Sequence, residues 1–139
     1  MSLIIIISFF LLILLSIVGF GFLSAKILSI GIEKNHSNFF GLFGIVTLTF
    51  VSYLTNLFIS HNFIHNILLL SIGLIAFIYG VYKDRIDFND IKKILFLALL
   101  LILVSLLYKT HDDFDWYHLP YTLNIAQNKF QFGLGLFNH

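Results

Sequence analysis

Between His111 and Tyr121 the chain reads HDDFDWYHLPY, a stretch with three Asp, two His, the protein's single Trp and its single Pro. Asp112, Asp113 and Asp115 are close enough in sequence to repel one another. That repulsion is expected to raise the pKa of at least one of them and would suit the cluster to acid–base work. A general base is one well-placed group. Asp113 and Asp115 flank Phe114 and precede Trp116, where aromatic rings limit water. Asp113 therefore ranks first, Asp115 second, and Asp112 is read as a solvated neighbour. Phe114, Trp116, Tyr117 and Tyr121 can exclude water or stack on a sugar ring. The competing account is an aromatic belt with solvated acids. His111, Asp115 and His118 fall at spacings of four and three, so a helix would put them on one face, a pattern compatible with a divalent metal. That set is short of ligands, and a hydrated interfacial turn is the favoured account of it; a divalent metal is a weak candidate and no cofactor is assigned. His61 and His65 have a metal-compatible spacing too, and read more simply as an interfacial pair.

The elements that must position this segment are apolar. The chain has 139 residues, 59% hydrophobic and 11% charged, with a mean hydropathy of +0.97. A soluble domain of that size cannot hide so much apolar surface, so the membrane is the natural solvent. A net charge of +1 offers no electrostatic footprint for nucleic acid, and the absence of Cys excludes disulfides and thiolate metal sites.

A bilayer core of ~30 Å needs about 20 apolar helical residues. Four stretches are expected to supply them: Leu3 to about Leu23, Phe39 to Ile59, Phe63 to Tyr82, and Ile91 to Tyr108. The first is read as a retained span, because no Lys or Arg precedes it as in a signal peptide. The short Ser60-His61-Asn62 connection forces a helical hairpin. Asp87, Asn89 or Asp90 is expected to cap the fourth helix. Gly73, Ala76 and Gly80 line one side of the third and invite close packing, and Ser52, Thr55 and Asn56 cluster near the end of the second as interhelical hydrogen-bonding groups.

The expected architecture is all-α: an integral membrane region over residues 1–110, then a juxtamembrane segment over residues 111–139. Lys26, Lys34, Lys83, Arg85, Lys92 and Lys93 fall in loops on one side, against Lys109 and Lys129 on the other. The positive-inside rule puts the six in the cytoplasm and the tail outside it. Leu119, before Pro120, is expected to be extended. A short surface helix follows, with Leu119, Leu123, Ala126 and Phe130 on its apolar stripe and Asn124, Gln127 and Asn128 opposite. Gly133 and Gly135 permit a tight turn. Little remains to pack against that turn, so the chain is expected to be the front part of a longer protein.

The tail HDDFDWYHLPYTLNIAQNKFQFGLGLFNH is similar to a segment of large bacterial membrane proteins described as glycosyltransferase-like, of the polytopic GT-C type. The resemblance rests on the acidic cluster, on Tyr117, His118, Leu119 and Pro120, on Gly133, Leu134 and Gly135, and on Asn138 and His139. It covers about the last 30 residues. It implies transfer of a sugar from a polyprenyl-phosphate carrier to an extracytoplasmic acceptor at the bacterial inner membrane, in cell-envelope polysaccharide biosynthesis. The catalytic carboxylates would come from Asp112, Asp113 and Asp115. Trp116, Tyr117, His118, Tyr121 and Lys109 would bind substrate, and membrane lipid, lipid-linked sugar and other membrane subunits would be the partners. The chain departs from the family in placing its acidic loop after a fourth helix rather than a first. Only Lys109 and Lys129 are at hand for the departing phosphate. The alternative is a non-catalytic module of glycan assembly or sugar-lipid transport.

Overall fold

The structure, a computed structural model, describes residues 3–28, 39–107 and 114–130. These residues form α1 (Leu3–Ile27), α2 (Phe40–Asn56), α3 (Phe63–Tyr82), α4 (Phe88–Leu107), a π-helical turn (Phe114–His118) and α5 (Leu119–Gln127). Among the described residues there is no strand.

Helix α1 is the hub, against which α2, α3 and α4 pack. Small residues make this possible. The backbone of α1 at Gly19 lies directly against that of Gly73 and Phe77, and Gly73 in turn lies against Ser16. Gly73, Ala76 and Gly80, the small-residue side of α3, are buried together. Near the C-terminal ends of α1 and α3 a core forms from Phe22, Ala25, Phe40, Phe77 and Ile86. The Phe22 ring meets Phe40 edge-on at 5.9 Å.

Large apolar side chains elsewhere face outward: Phe50 is 66% exposed, and Ile75 and Phe96 are 67% exposed each. Such surface suits hydrocarbon or a partner rather than water. Among the described residues, two helices are long and apolar enough to cross a membrane, Ile4–Ile27 and Phe63–Tyr82. The other two of the four expected spans fall short of that standard. Helix α2 has only 17 residues, and α4 carries Asp90, Lys92 and Lys93 in its opening turns.

Local chemistry sets the boundaries. Helix α1 runs past Leu23 to Ile27, and Lys26 near its end reaches the Tyr79 ring, its Nζ 4.7 Å from the centroid. Helix α3 has the expected limits; Asn62 caps its start by accepting from the His65 N–H at 3.0 Å. Its far end closes as a Schellman motif, with Arg85 N–H donating to the Gly80 carbonyl, Asp84 N–H to that of Val81, and Asp84 in the left-handed region at φ 51°. That reversal turns Ile86 onto Gly80, where it is 2% exposed. Helix α4 starts at Phe88, earlier than expected, because Asp87 and Asp90 cap one another. The Asp90 N–H donates to Asp87 Oδ1 at 2.9 Å and the Asp87 N–H to Asp90 Oδ2 at 3.2 Å.

Leu119 is helical, not extended. The chain enters α5 from the π-helical turn with His118 already in the right-handed helical region, which outweighs the extended preference before Pro120. Pro120 occupies the first turn, where its missing N–H needs no partner.

Candidate functional site

Two polar groupings lie at the end of the helices where α2 turns into α3. One is the tail. Its π-helical turn carries Trp116, Tyr117 and His118, and α5 carries Tyr121. Trp116 is 79% exposed, Tyr117 69% and Tyr121 59%, so nothing among the described residues covers the aromatic run. The π-helical turn is wider than an α-turn. The spacing that would have set His111, Asp115 and His118 on one α-helical face therefore does not hold through residues 114–118. Lys109, His111, Asp112 and Asp113 lie outside the described residues, as do the side chain of Asp115 and the Gly133–Gly135 and Asn138–His139 elements of the resemblance. Among the described residues no three His, Cys, Asp or Glu side chains gather as metal ligands would.

The other grouping is the cluster around His61 and His65, which sequence reading set aside as an interfacial pair. The rings stack at 4.5 Å, 8° from parallel. His61 Nε2 lies 2.9 Å from the Ser52 carbonyl, which only accepts, so Nε2 carries the proton. Thr55 Oγ1 donates to the Val51 carbonyl at 2.8 Å and accepts from His65 Nε2 at 3.0 Å. Both imidazoles thus donate through Nε2. Asn66 closes the turn through Nδ2 to the His61 carbonyl at 2.9 Å. Asn56 is buried, and its Nδ2 has no partner among the described residues.

Two backbone bonds join the groupings. The His61 N–H donates to the Ile125 carbonyl at 3.0 Å, and the Phe130 N–H donates to the Asn56 carbonyl at 2.8 Å. These bonds explain which part of the tail is covered. Asn124, Ile125 and Ala126 are half-buried, whereas Leu119, Leu123 and Phe130, three of the four expected stripe residues, remain exposed. The one signal for this docking in the sequence was polar: Ser52, Thr55, Asn56, His61 and His65 at one helix end.

Burial lowers the His61 pKa, the neighbouring His65 lowers it further, and the bond to the Ser52 carbonyl opposes both. The folded state then binds fewer protons than the unfolded one in the window below the ordinary histidine value of about 6.5. Stability is expected to rise with pH through that window and to level off above it. Unfolding temperatures of the detergent-solubilised protein between pH 5 and 8 test this. His61→Gln should flatten the profile, and an unchanged slope in that variant would remove His61 as its source.

A cleft of about 150 Å³ lies far from both groupings, lined by Val18, Phe40, Gly41, Ile86, Asp90, Lys93, Ile94 and Leu97. It is too small for a lipid-linked sugar, since sites for drug-sized ligands start near ~300 Å³. The described residues thus define an all-helical fold with two membrane-capable helices and a tail anchored beside a histidine pair. No known protein family, curated protein sequence or solved structure matches this chain.

Proposed function

We propose that the chain is part of a GT-C-like glycosyltransferase of the bacterial inner membrane. It would transfer a sugar from a polyprenyl-phosphate carrier to an extracytoplasmic acceptor, with Asp113 as the base. The observation that carries this reading is the pair of backbone bonds, His61 to Ile125 and Phe130 to Asn56, that fasten the tail to the start of α3. Lys83 and Arg85 follow the other end of that 20-residue helix, and Lys26, Lys92 and Lys93 lie nearby. With the basic end in the cytoplasm, the tail meets the outer surface. A lipid carrier stays in the bilayer, so its headgroup must react at that surface. Exposed Trp116, Tyr117 and Tyr121 suit a sugar ring or the headgroup region there. In this reading α2 and α4 also cross. The bilayer thins around the short α2, and Lys92 and Lys93 hold the start of α4 at headgroup level.

Cysteine accessibility tests the arrangement. In intact cells, Asn128→Cys should react with an impermeant thiol reagent, while Asn89→Cys and Ser37→Cys stay protected. The opposite pattern would put the tail in the cytoplasm, away from any extracytoplasmic acceptor. The open exposure of the three aromatics also favours a second reading, a tail that holds a headgroup or partner without chemistry. Transfer activity separates the two.

A further inference from the structure

We propose that the end of the helices opposite the tail holds a specific site for the phosphate of an anionic lipid, built from Lys26, Tyr79 and Lys83. The ammonium groups of Lys26 and Lys83 lie 4.7 and 5.9 Å from the centroid of the same Tyr79 ring. Lys83 also stands 5.3 Å from the Tyr82 ring. Neither lysine has a carboxylate within ion-pair distance among the described residues; Asp84, adjacent to Lys83 in the chain, pairs with neither. Lys26 Nζ donates to the Tyr79 hydroxyl at 3.5 Å. Three donors therefore converge, two of them charged, with no carboxylate beside them among the described residues.

The site is held in place from behind. Tyr79 packs its ring on Phe22 at 6.1 Å, and Phe22 belongs to the buried core. Lys26 comes from the last turn of α1 and Lys83 caps the end of α3, so the backbone packing of α1 on α3 sets their separation. Tyr79 and Tyr82 sit where aromatic side chains anchor a helix at headgroup level. A phosphate there pairs with both cations and accepts a hydrogen bond from the hydroxyl, while its acyl chains run down the exposed face of α3. The lipid phosphate is favoured over a free anion because both rings and the outward-facing Ile75 and Ile78 give the ligand an apolar surface to lie on. The inference requires only that this end of the helices meets a membrane. It is independent of any catalytic role for the tail.

Native mass spectrometry of the detergent-purified full chain tests it, with phosphatidylglycerol, phosphatidylcholine and inorganic phosphate as probes. One phosphatidylglycerol should be retained in preference to phosphatidylcholine. The double variant Lys26→Gln/Lys83→Gln should weaken that retention by about tenfold or more, given the typical contribution of each basic residue near an anionic surface. Lys26→Arg/Lys83→Arg should restore it, and Lys92→Gln/Lys93→Gln should leave it intact. Equal retention of the two lipids would overturn the site, as would an equal loss in the Lys92/Lys93 variant. Displacement of the lipid by millimolar inorganic phosphate would overturn the lipid assignment in favour of a free-anion site.

Discussion

Asp113→Asn is expected to abolish glycan transfer while leaving expression and membrane insertion intact. A carboxylate that takes the acceptor's hydroxyl proton as the anomeric carbon is attacked cannot be replaced by an amide, which has no basic lone pair at neutral pH. Loss of one proton-transfer group typically costs on the order of 10²–10⁴ in rate. Asp115→Asn should be the next most damaging and Asp112→Asn mild, because Asp112 lies furthest from Trp116 in the sequence. The readout is transfer from a polyprenyl-phosphate-linked sugar in membranes containing each variant of the full-length protein, at matched protein levels. Unchanged transfer with Asn at all three positions would reduce the tail to an aromatic belt. Trp116→Ala adds a second distinction. If the exposed indole stacks on the sugar it should raise KM more than it lowers kcat, since a contact made equally in ground and transition states affects binding alone.

The parts of this fold legible in the sequence are those set by local chemistry. The limits of α3 follow from an apolar run with Asn62 at its head and Lys83 at its foot. The small face of Gly73, Ala76 and Gly80 could be read from spacing and does meet another helix. Asp87 and Asp90 were legible as caps, but their reciprocal bonding, which starts α4 at Phe88, was not. The central place of α1 was also hidden. It depends on Gly19 and Gly21 meeting backbone on two different helices, and a uniformly apolar stretch shows no preferred face. Docking of the tail escaped for a related reason. It runs through main-chain groups of His61, Ile125, Asn56 and Phe130, and main-chain donors and acceptors are alike at every position. What the sequence offered was the polar cluster beneath, of which the Thr55 side chain bonds across to His65 on α3, Ser52 takes part through its main-chain carbonyl, and Asn56 Nδ2 has no partner among the described residues.

The central place of α1 gives a second large effect. Gly19→Ala is expected to destabilise the protein, and Gly41→Ala to leave it unchanged or stabilise it. Gly19 lies in the interior of α1, where removing a glycine gains about 0.5–1 kcal/mol, and Gly41 in the first turn of α2, where the gain is smaller. Their surroundings differ. A methyl group at Gly41 meets nothing within 4 Å. At Gly19 it would overlap the Gly73 carbonyl and crowd the Phe77 amide, both main-chain groups within α3. A flexible side-chain tip could swing away; helical backbone cannot move without carrying its helix along. Separating α1 from α3 also exposes Ser16 and opens the contact that positions Lys26 beside Tyr79. Overpacking of this kind costs roughly 1–3 kcal/mol and occasionally more, which exceeds the propensity gain. A larger side chain, as in Gly19→Leu, should prevent the two helices from packing. Residual monodisperse protein after graded heating in detergent measures the effect: the midpoint should fall for Gly19→Ala, fall further for Gly19→Leu, and hold or rise for Gly41→Ala. If Gly19→Ala and Gly41→Ala behave alike, α1 and α3 do not make backbone contact, and the shared position of Lys26 and Lys83 over one ring goes with it.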